Sequence, residues 1–386
     1  MRAPGTGDSG RYHALDSLRA VMMLSGIYLH VVVAYSTAGG WPYKQAQLIS
    51  SLNWSLGLIH IFRMPIFYVM AGFFGALLYH RRGMRGFLDN RIKRVLLPFI
   101  GGWLILFPIV MSMVAARKSG PPAAIGVFTT GIFVRYLHPM HLWFLEYLVL
   151  LYALAAIAVT LVPASIAEFA SRTYARIIGA FWAPLAFAVP SFLALLPMKY
   201  AGLEDPPGFA PVPRIVIAYV VPFTVGWLLY GHREHLNTIR RSAWPNIAIA
   251  AVATCFYLGV VRIPLPKGVS FYADRAVHSV ALWFLIFGVT GLFLRYLDGH
   301  SFKMRYMSDA SYFLYLAHMP VISALQFAFE PLAWNPLVKI PIVLAIASFI
   351  LMVLYHYCVR PTAIGAALNG RKYPIGRQLE VAVAAA

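Results

Sequence analysis

Ten runs of about 20 apolar residues, each the length needed to cross a bilayer, constrain this 386-residue chain more than any other feature. They fall at 14–36, 54–79, 95–115, 141–162, 175–197, 213–231, 245–261, 277–297, 307–328 and 338–359. Prolines interrupt the fifth, and the seventh is short. Only 12% of residues are charged and the mean hydropathy is +0.71, against about 25% charged for a soluble domain. A long soluble chain splits into domains with polar surfaces, and no such surface is written here. The expected fold is therefore all-α, a polytopic integral membrane protein with about ten transmembrane helices. The first run follows a polar stretch and lacks a short apolar region with a small-residue cleavage site, so it reads as a retained helix. Residues 1–13 and 361–386 read as poorly ordered cytoplasmic tails around a membrane domain at 14–360.

The net charge is +19 with a pI near 10.1. In a soluble protein that excess would point to nucleic acid. Here its placement excludes that partner, because Lys and Arg gather in alternate loops between apolar runs. With the N-terminus inside, inner segments carry twenty of the 32 basic residues and outer loops ten. Both termini are therefore expected in the cytoplasm. Arg81, Arg82, Arg85, Arg91, Lys93 and Arg94, between the second and third runs, weigh most in that assignment. The two cysteines, Cys255 and Cys358, show neither metal nor disulfide spacing.

An ionisable group inside a membrane helix costs several kcal/mol, and it usually faces a cavity or a partner. Asp16, Arg19 and His30 lie on the first run, Arg63 on the second, Glu146 on the fourth, Asp309 and His318 on the ninth. Arg19 and His30 are eleven residues apart, within about 20° of one face and separated by roughly 16 Å along the axis. Asp16 is placed to pair with Arg19. A basic group at the inner mouth and a histidine deeper on the same stripe suit a substrate threading inward from the cytoplasm. Arg63 lies about 13 Å and Glu146 about 7 Å below the outer surface, with His318 near the midplane.

Leu15-Asp16-Ser17-Leu18-Arg19-Ala20, with His30 eleven residues after Arg19, resembles the R-x10-H signature of the membrane acyltransferase-3 family. Phe62-Arg63-Met64-Pro65 through Ala71-Gly72-Phe73-Phe74 resembles its second-helix motif, with Ala71 where the family often has Ser. Phe87 with Arg91-Ile92-Lys93-Arg94-Val95-Leu96-Leu97-Pro98, then His141-Leu142-Trp143-Phe144-Leu145, then Ser308-Asp309 through Ala317-His318 are similar to three more family segments. Phe-Arg-Met in the second helix, without a fused esterase-like domain, is most like members held to add succinyl groups to osmoregulated periplasmic glucans.

The resemblance implies a multi-pass O-acyltransferase of the bacterial inner membrane. It would move a succinyl or acetyl group from acyl-CoA to hydroxyls of a periplasmic glucan or other envelope glycan. Besides the lipid bilayer, its partners would be that donor and that acceptor. Such transfer needs a base for the hydroxyl proton and stabilisation of the oxyanion. His30 is the candidate base, since imidazole titrates near neutrality. Arg19 either orders the donor or pairs structurally with Asp16. Arg91, Lys93 and Arg94 either bind the CoA phosphates or anchor anionic lipid. Arg63 takes as counter-ion either the carboxylate of a succinyl donor, Glu146 or a helix carbonyl. Glu146 in turn orients a histidine, binds sugar hydroxyls or pairs with Arg63. With Asp16, His141, Asp309 and His318 these complete the expected substrate-facing set. His141 also reads as an interfacial residue at a helix end, and Trp143 as part of an aromatic belt. No permanently bound cofactor, metal spacing, nucleotide-binding motif or serine-hydrolase motif is present. The competing class is a transporter or flippase in glycan export, with the buried groups as its substrate sites.

Overall fold

A computed structural model describes residues 12–130, 137–259, 263–370 and 373. Helix α1 is His13–Val32, and a 3-10 turn continues it at Val33–Tyr35. Helix α2 (Leu52–Arg91) passes through a π segment (Ile92–Leu96) into α3 (Leu97–Ser119), followed by α4 (Pro121–Thr129). A 3-10 turn at Met140–Leu142 leads into α5 (Trp143–Leu161), then α6 (Ala164–Ile178), α7 (Ala183–Leu195) and α8 (Pro213–Gly231). The chain continues as α9 (Leu236–Arg241), α10 (Ala243–Tyr257), α11 (Lys267–Tyr296), α12 (Phe302–Phe329), α13 (Pro336–Leu354) and α14 (Ala363–Asn369).

The described residues are helical with no strand, and seven helical runs are long and apolar enough to cross a membrane. One of them, Leu52–Ser119, is 68 residues. At 1.5 Å per residue that is about 100 Å of helical contour, several times the roughly 30 Å of bilayer hydrocarbon. The stretch 80–94 therefore differs from the loop expected there: it is helical, interrupted at Gly83 (φ 67°). Glycine occupies that left-handed position because it has no Cβ to clash.

The fifth and seventh apolar runs also depart from expectation. Residues 175–197 do not form one helix. Helix α6 ends at Ile178, and the separate 13-residue α7 begins at Ala183 with Pro184 in its first turn, where the missing N–H would have no helical partner anyway. Helix α10 has 15 residues. Neither reaches the length of about 20 residues that a straight crossing needs. Large apolar side chains such as Leu104, Ile105 and Phe349 are more than half exposed, as lipid-facing helices require.

The chain divides into two compact units, and α1 gives its N-terminal half to one and its C-terminal half to the other. The first unit holds Met1–Met22, Trp54–Arg91 and Trp143–Arg305. Within it α2 and α8 cross backbone to backbone at Gly72 and Gly226. A Cβ on Gly72 would overlap the Phe223 carbonyl and come within 2.7 Å of the Trp227 nitrogen; one on Gly226 would overlap the Val69 carbonyl. Small residues permit this approach where lipid gives no hydrophobic drive for helices to associate. Trp283 of α11 is fully buried and donates to Ser191 Oγ of α7 at 2.8 Å.

The second unit holds Met23–Asn53, Ile92–Leu142 and Tyr306–Ala386. Part of the expected C-terminal tail is ordered here. Helix α14 lies in it, fastened by Asn369 Nδ2 donating to the Tyr355 hydroxyl at 2.9 Å. Residues 371, 372 and 374–386 of that tail, and residues 1–11, lie outside the described residues.

Candidate active site

In the second unit three histidines from three segments converge. His30 comes from the last turn of α1, His141 from the Met140–Leu142 turn, and His318 from the middle of α12. Ring centroids are 5.0 Å apart for His30 and His318, 4.8 Å for His141 and His318, and 6.4 Å for His30 and His141. Trp41 stacks on His30 at 5.2 Å.

Each segment is held for a local reason. The end of α1 leaves carbonyls without intrahelical partners, and buried side chains supply donors. Gln326 Nε2 of α12 donates to Val31 O at 3.0 Å and to His30 O at 3.3 Å. Gln326 Oε1 accepts from the Tyr43 hydroxyl at 2.6 Å, and Gln45 Nε2 donates to Gln326 O at 3.2 Å. Lys44 Nζ donates to Val33 O, Ser36 O and Ala38 O at 2.6, 3.1 and 2.5 Å, a cationic cap on this helix end. Burial pushes the Tyr43 hydroxyl up to about 12 and lowers the Lys44 ammonium below its usual range. Tyr43 is therefore a fixed neutral donor around pH 7.

The His141 turn is strained. Met140 has φ 51°, the left-handed region that a bulky residue rarely enters. Its N–H donates to His138 Nδ1 at 2.8 Å, and Trp103 Nε1 donates to His138 O at 2.9 Å. His141 is 7% exposed and its ring nitrogen Nε2 lies 3.0 Å from Leu316 O. The Tyr315 hydroxyl donates to His141 O at 2.7 Å. His318 Nδ1 lies 2.6 Å from Tyr315 O. A carbonyl can only accept, so His141 carries its proton on Nε2 and His318 carries its own on Nδ1. His141 is thus buried within the second unit. Trp143 is 8% exposed and packs on Tyr147 and Tyr219 in the first unit, so it does not face outward as a belt residue would.

The remaining candidates are distributed as follows. Asp309 is nine residues before His318 on α12, about 13 Å along the axis, and accepts from the Tyr373 hydroxyl at 2.9 Å. It is not part of the histidine cluster. Arg94 Nη1 donates to Leu368 O at 3.4 Å, and the Tyr312 hydroxyl donates to Arg94 O at 3.1 Å, so this arginine ties the C-terminal segment. Lys93 is exposed on the π segment.

In the first unit Arg19 Nη2 lies 3.3 Å from Asp16 Oδ1, the expected i, i+3 pair. Arg91 Nη1 donates to the Tyr152 hydroxyl at 3.1 Å, and its guanidinium stacks 4.6 Å over that ring. Arg63 is 9% exposed on α2, one turn before Phe67 and Tyr68. Glu146 Oε2 on α5 is buried and accepts no hydrogen bond among the described residues.

Trp41, Tyr43, Tyr315 and Gln326 belong to the histidine environment, yet reading the ionisable groups alone misses them. The available signal was polar: Ser323 and Gln326 interrupt an apolar helix and are fully buried.

Together these features define a multi-pass helical membrane protein with a cluster of three imidazoles, two of them buried. The chain belongs to the acyltransferase 3 family: a profile described as an acyltransferase domain matches residues 12–357. It is an acyltransferase. Similar curated relatives are the glucans biosynthesis protein C of Salmonella gallinarum (strain 287/91) and that of Salmonella agona (strain SL483). Each is 24% identical over 382 residues, covering 97% of this chain and 98% of the relative. No solved structure matches the chain.

Proposed function

We propose that this acyltransferase moves a succinyl or acetyl group from cytoplasmic acyl-CoA to hydroxyls of a periplasmic glucan or another envelope glycan. It works in the bacterial inner membrane with both termini in the cytoplasm, and residues 14–360 form its membrane domain. The observation that carries the reading is the cluster of His30, His141 and His318, built around the histidine of the R-x10-H signature. The relatives' name, glucans biosynthesis protein C, supports a glucan as the acceptor class.

In the reaction the sugar oxygen attacks the thioester carbonyl. The C–O bond forms, the C–S bond breaks, and the hydroxyl proton passes to His30 and from there to the departing sulfur. Three imidazoles this close disfavour two positive charges at once. His141 and His318 each direct a ring N–H at a carbonyl, which fixes their orientation. His30, the histidine of the R-x10-H signature, is the ring assigned to take up the proton.

Arg19, beside Asp16, orders the donor near the inner end of α1. Arg91, Lys93 and Arg94 bind its phosphates, and Arg63 receives the carboxylate of a succinyl donor. Glu146 completes the substrate-facing set in the first unit. The test is purified protein in liposomes with acyl-CoA and a glucan acceptor. Acyl-CoA consumption that depends on the glucan supports the reading; a glucan left unmodified while acyl-CoA persists refutes it.

A further inference from the structure

We infer that His141 determines acceptor specificity: its Nδ1, held permanently as a bare nitrogen, accepts a hydrogen bond from a hydroxyl of the glycan. This deepens the acyl-transfer reading above and rests on it. The inference starts from Pro320. Proline has no N–H, so within α12 the carbonyl four residues earlier, Leu316 O, loses its helical donor. His141 Nε2 fills that place at 3.0 Å. The hydrogen bond at one ring nitrogen fixes the state of the other. His141 is therefore the Nε2–H tautomer, and Nδ1 keeps its lone pair.

The ring cannot easily turn to exchange the two nitrogens. The Tyr315 hydroxyl holds its backbone carbonyl, and the turn enters through Met140 at φ 51°. Nδ1 is buried with no hydrogen-bond donor among the described residues. A buried acceptor left unmet costs stability, and strained turns that persist cluster at functional sites. His30 does not supply the donor: at 6.4 Å between centroids the two rings are too far apart for a direct hydrogen bond.

An acceptor-only nitrogen selects chemistry. It binds a hydroxyl, which donates, and disfavours a carboxylate, which does not. The cluster is thus the sugar end of the site and not the seat of the succinyl carboxylate. One hydroxyl yields its proton to His30, and a second hydroxyl on the same acceptor is held by His141.

Two variants and one spectroscopic measurement test this. His141→Gln keeps an N–H near the Nε2 position for Leu316 O but has no acceptor at Nδ1. It should raise KM for the glycan about 10-fold, the effect of one neutral hydrogen bond, and leave KM for acyl-CoA unchanged. Pro320→Ala restores an N–H that competes for Leu316 O, so the tautomer lock should loosen. In histidine-15N-labelled protein, the wild type should show a bare Nδ1 signal that His141→Gln removes and Pro320→Ala converts to a tautomer mixture. A protonated Nδ1 in the wild type overturns the inference, whether or not any variant is active. So does an unchanged glycan KM in folded His141→Gln. Absence of acyl transfer by the wild type, with the bare Nδ1 present, would instead count against the functional reading.

Discussion

Replacing Gln326 with leucine should disconnect α1 from α12 at the candidate base. The side chain is fully buried and makes three hydrogen bonds, to Val31 O, His30 O and the Tyr43 hydroxyl. Leucine is of similar volume, so the change removes polarity and leaves little cavity. Tyr43 keeps a partner, since its hydroxyl also lies 2.9 Å from Ser323 Oγ. The two helix-end carbonyls lose their side-chain donor. An unsatisfied buried acceptor costs about 1–3 kcal/mol, so Gln326→Leu should lower stability by roughly 2 kcal/mol. Because His30 itself carries one of those carbonyls, its ring should also shift. A displacement of about 1 Å at a reacting group costs up to roughly 100-fold in rate. Thermal unfolding in detergent and the rate of glucan acylation read the two effects. Gln326→Glu should fail in the same way, because a carboxylate cannot donate to the Val31 carbonyl. Wild-type stability and rate in Gln326→Leu would refute the claim that this amide holds His30 in place.

Other perturbations separate structural from chemical roles. Gly72→Ala should lower the unfolding midpoint by an amount equivalent to about 1–3 kcal/mol of overpacking, because a Cβ meets backbone there; Gly101→Ala, with open space around it, should change the midpoint little. Arg63→Ala should damage succinyl transfer more than acetyl transfer, and equal loss for both donors would argue against a carboxylate partner. Burial raises the Glu204 carboxyl, but hydrogen bonds from Arg214 and the Lys199 N–H outweigh it and leave it below the usual range. The lowered folded value means this contribution is present above the unfolded pKa and is lost as pH falls through the folded one. Glu204→Gln should therefore flatten the loss of stability on acidification below about pH 4, as measured by thermal unfolding across pH.

Long apolar runs are legible residue by residue, because the bilayer demands length and low charge and little else. Met140–Leu161 and Pro213–Gly231 accordingly fall where hydropathy alone places them. The fifth run shows the limit. Hydropathy sums across Gly179 and Pro184, where the backbone ends one helix and starts another. The ionisable residues His30 and His318 stand out in an apolar helix, yet nothing in their spacing announces that they meet. The place of His141 was less legible still. At the end of a run it looks interfacial, and only the tertiary fold brings it beneath the carbonyl that Pro320 frees. Gln326, Tyr43 and Trp41 carry no formal charge, so a reading of ionisable groups passes over the residues that position the candidate base.

The most direct test of His30 as the transfer base is mass spectrometry of envelope glycans from cells making equal amounts of wild-type or His30→Ala protein. The glycan should carry an added succinyl or acetyl mass with the wild type and lack it with His30→Ala. Glycans acylated to the same extent in both strains would contradict a catalytic role for that imidazole.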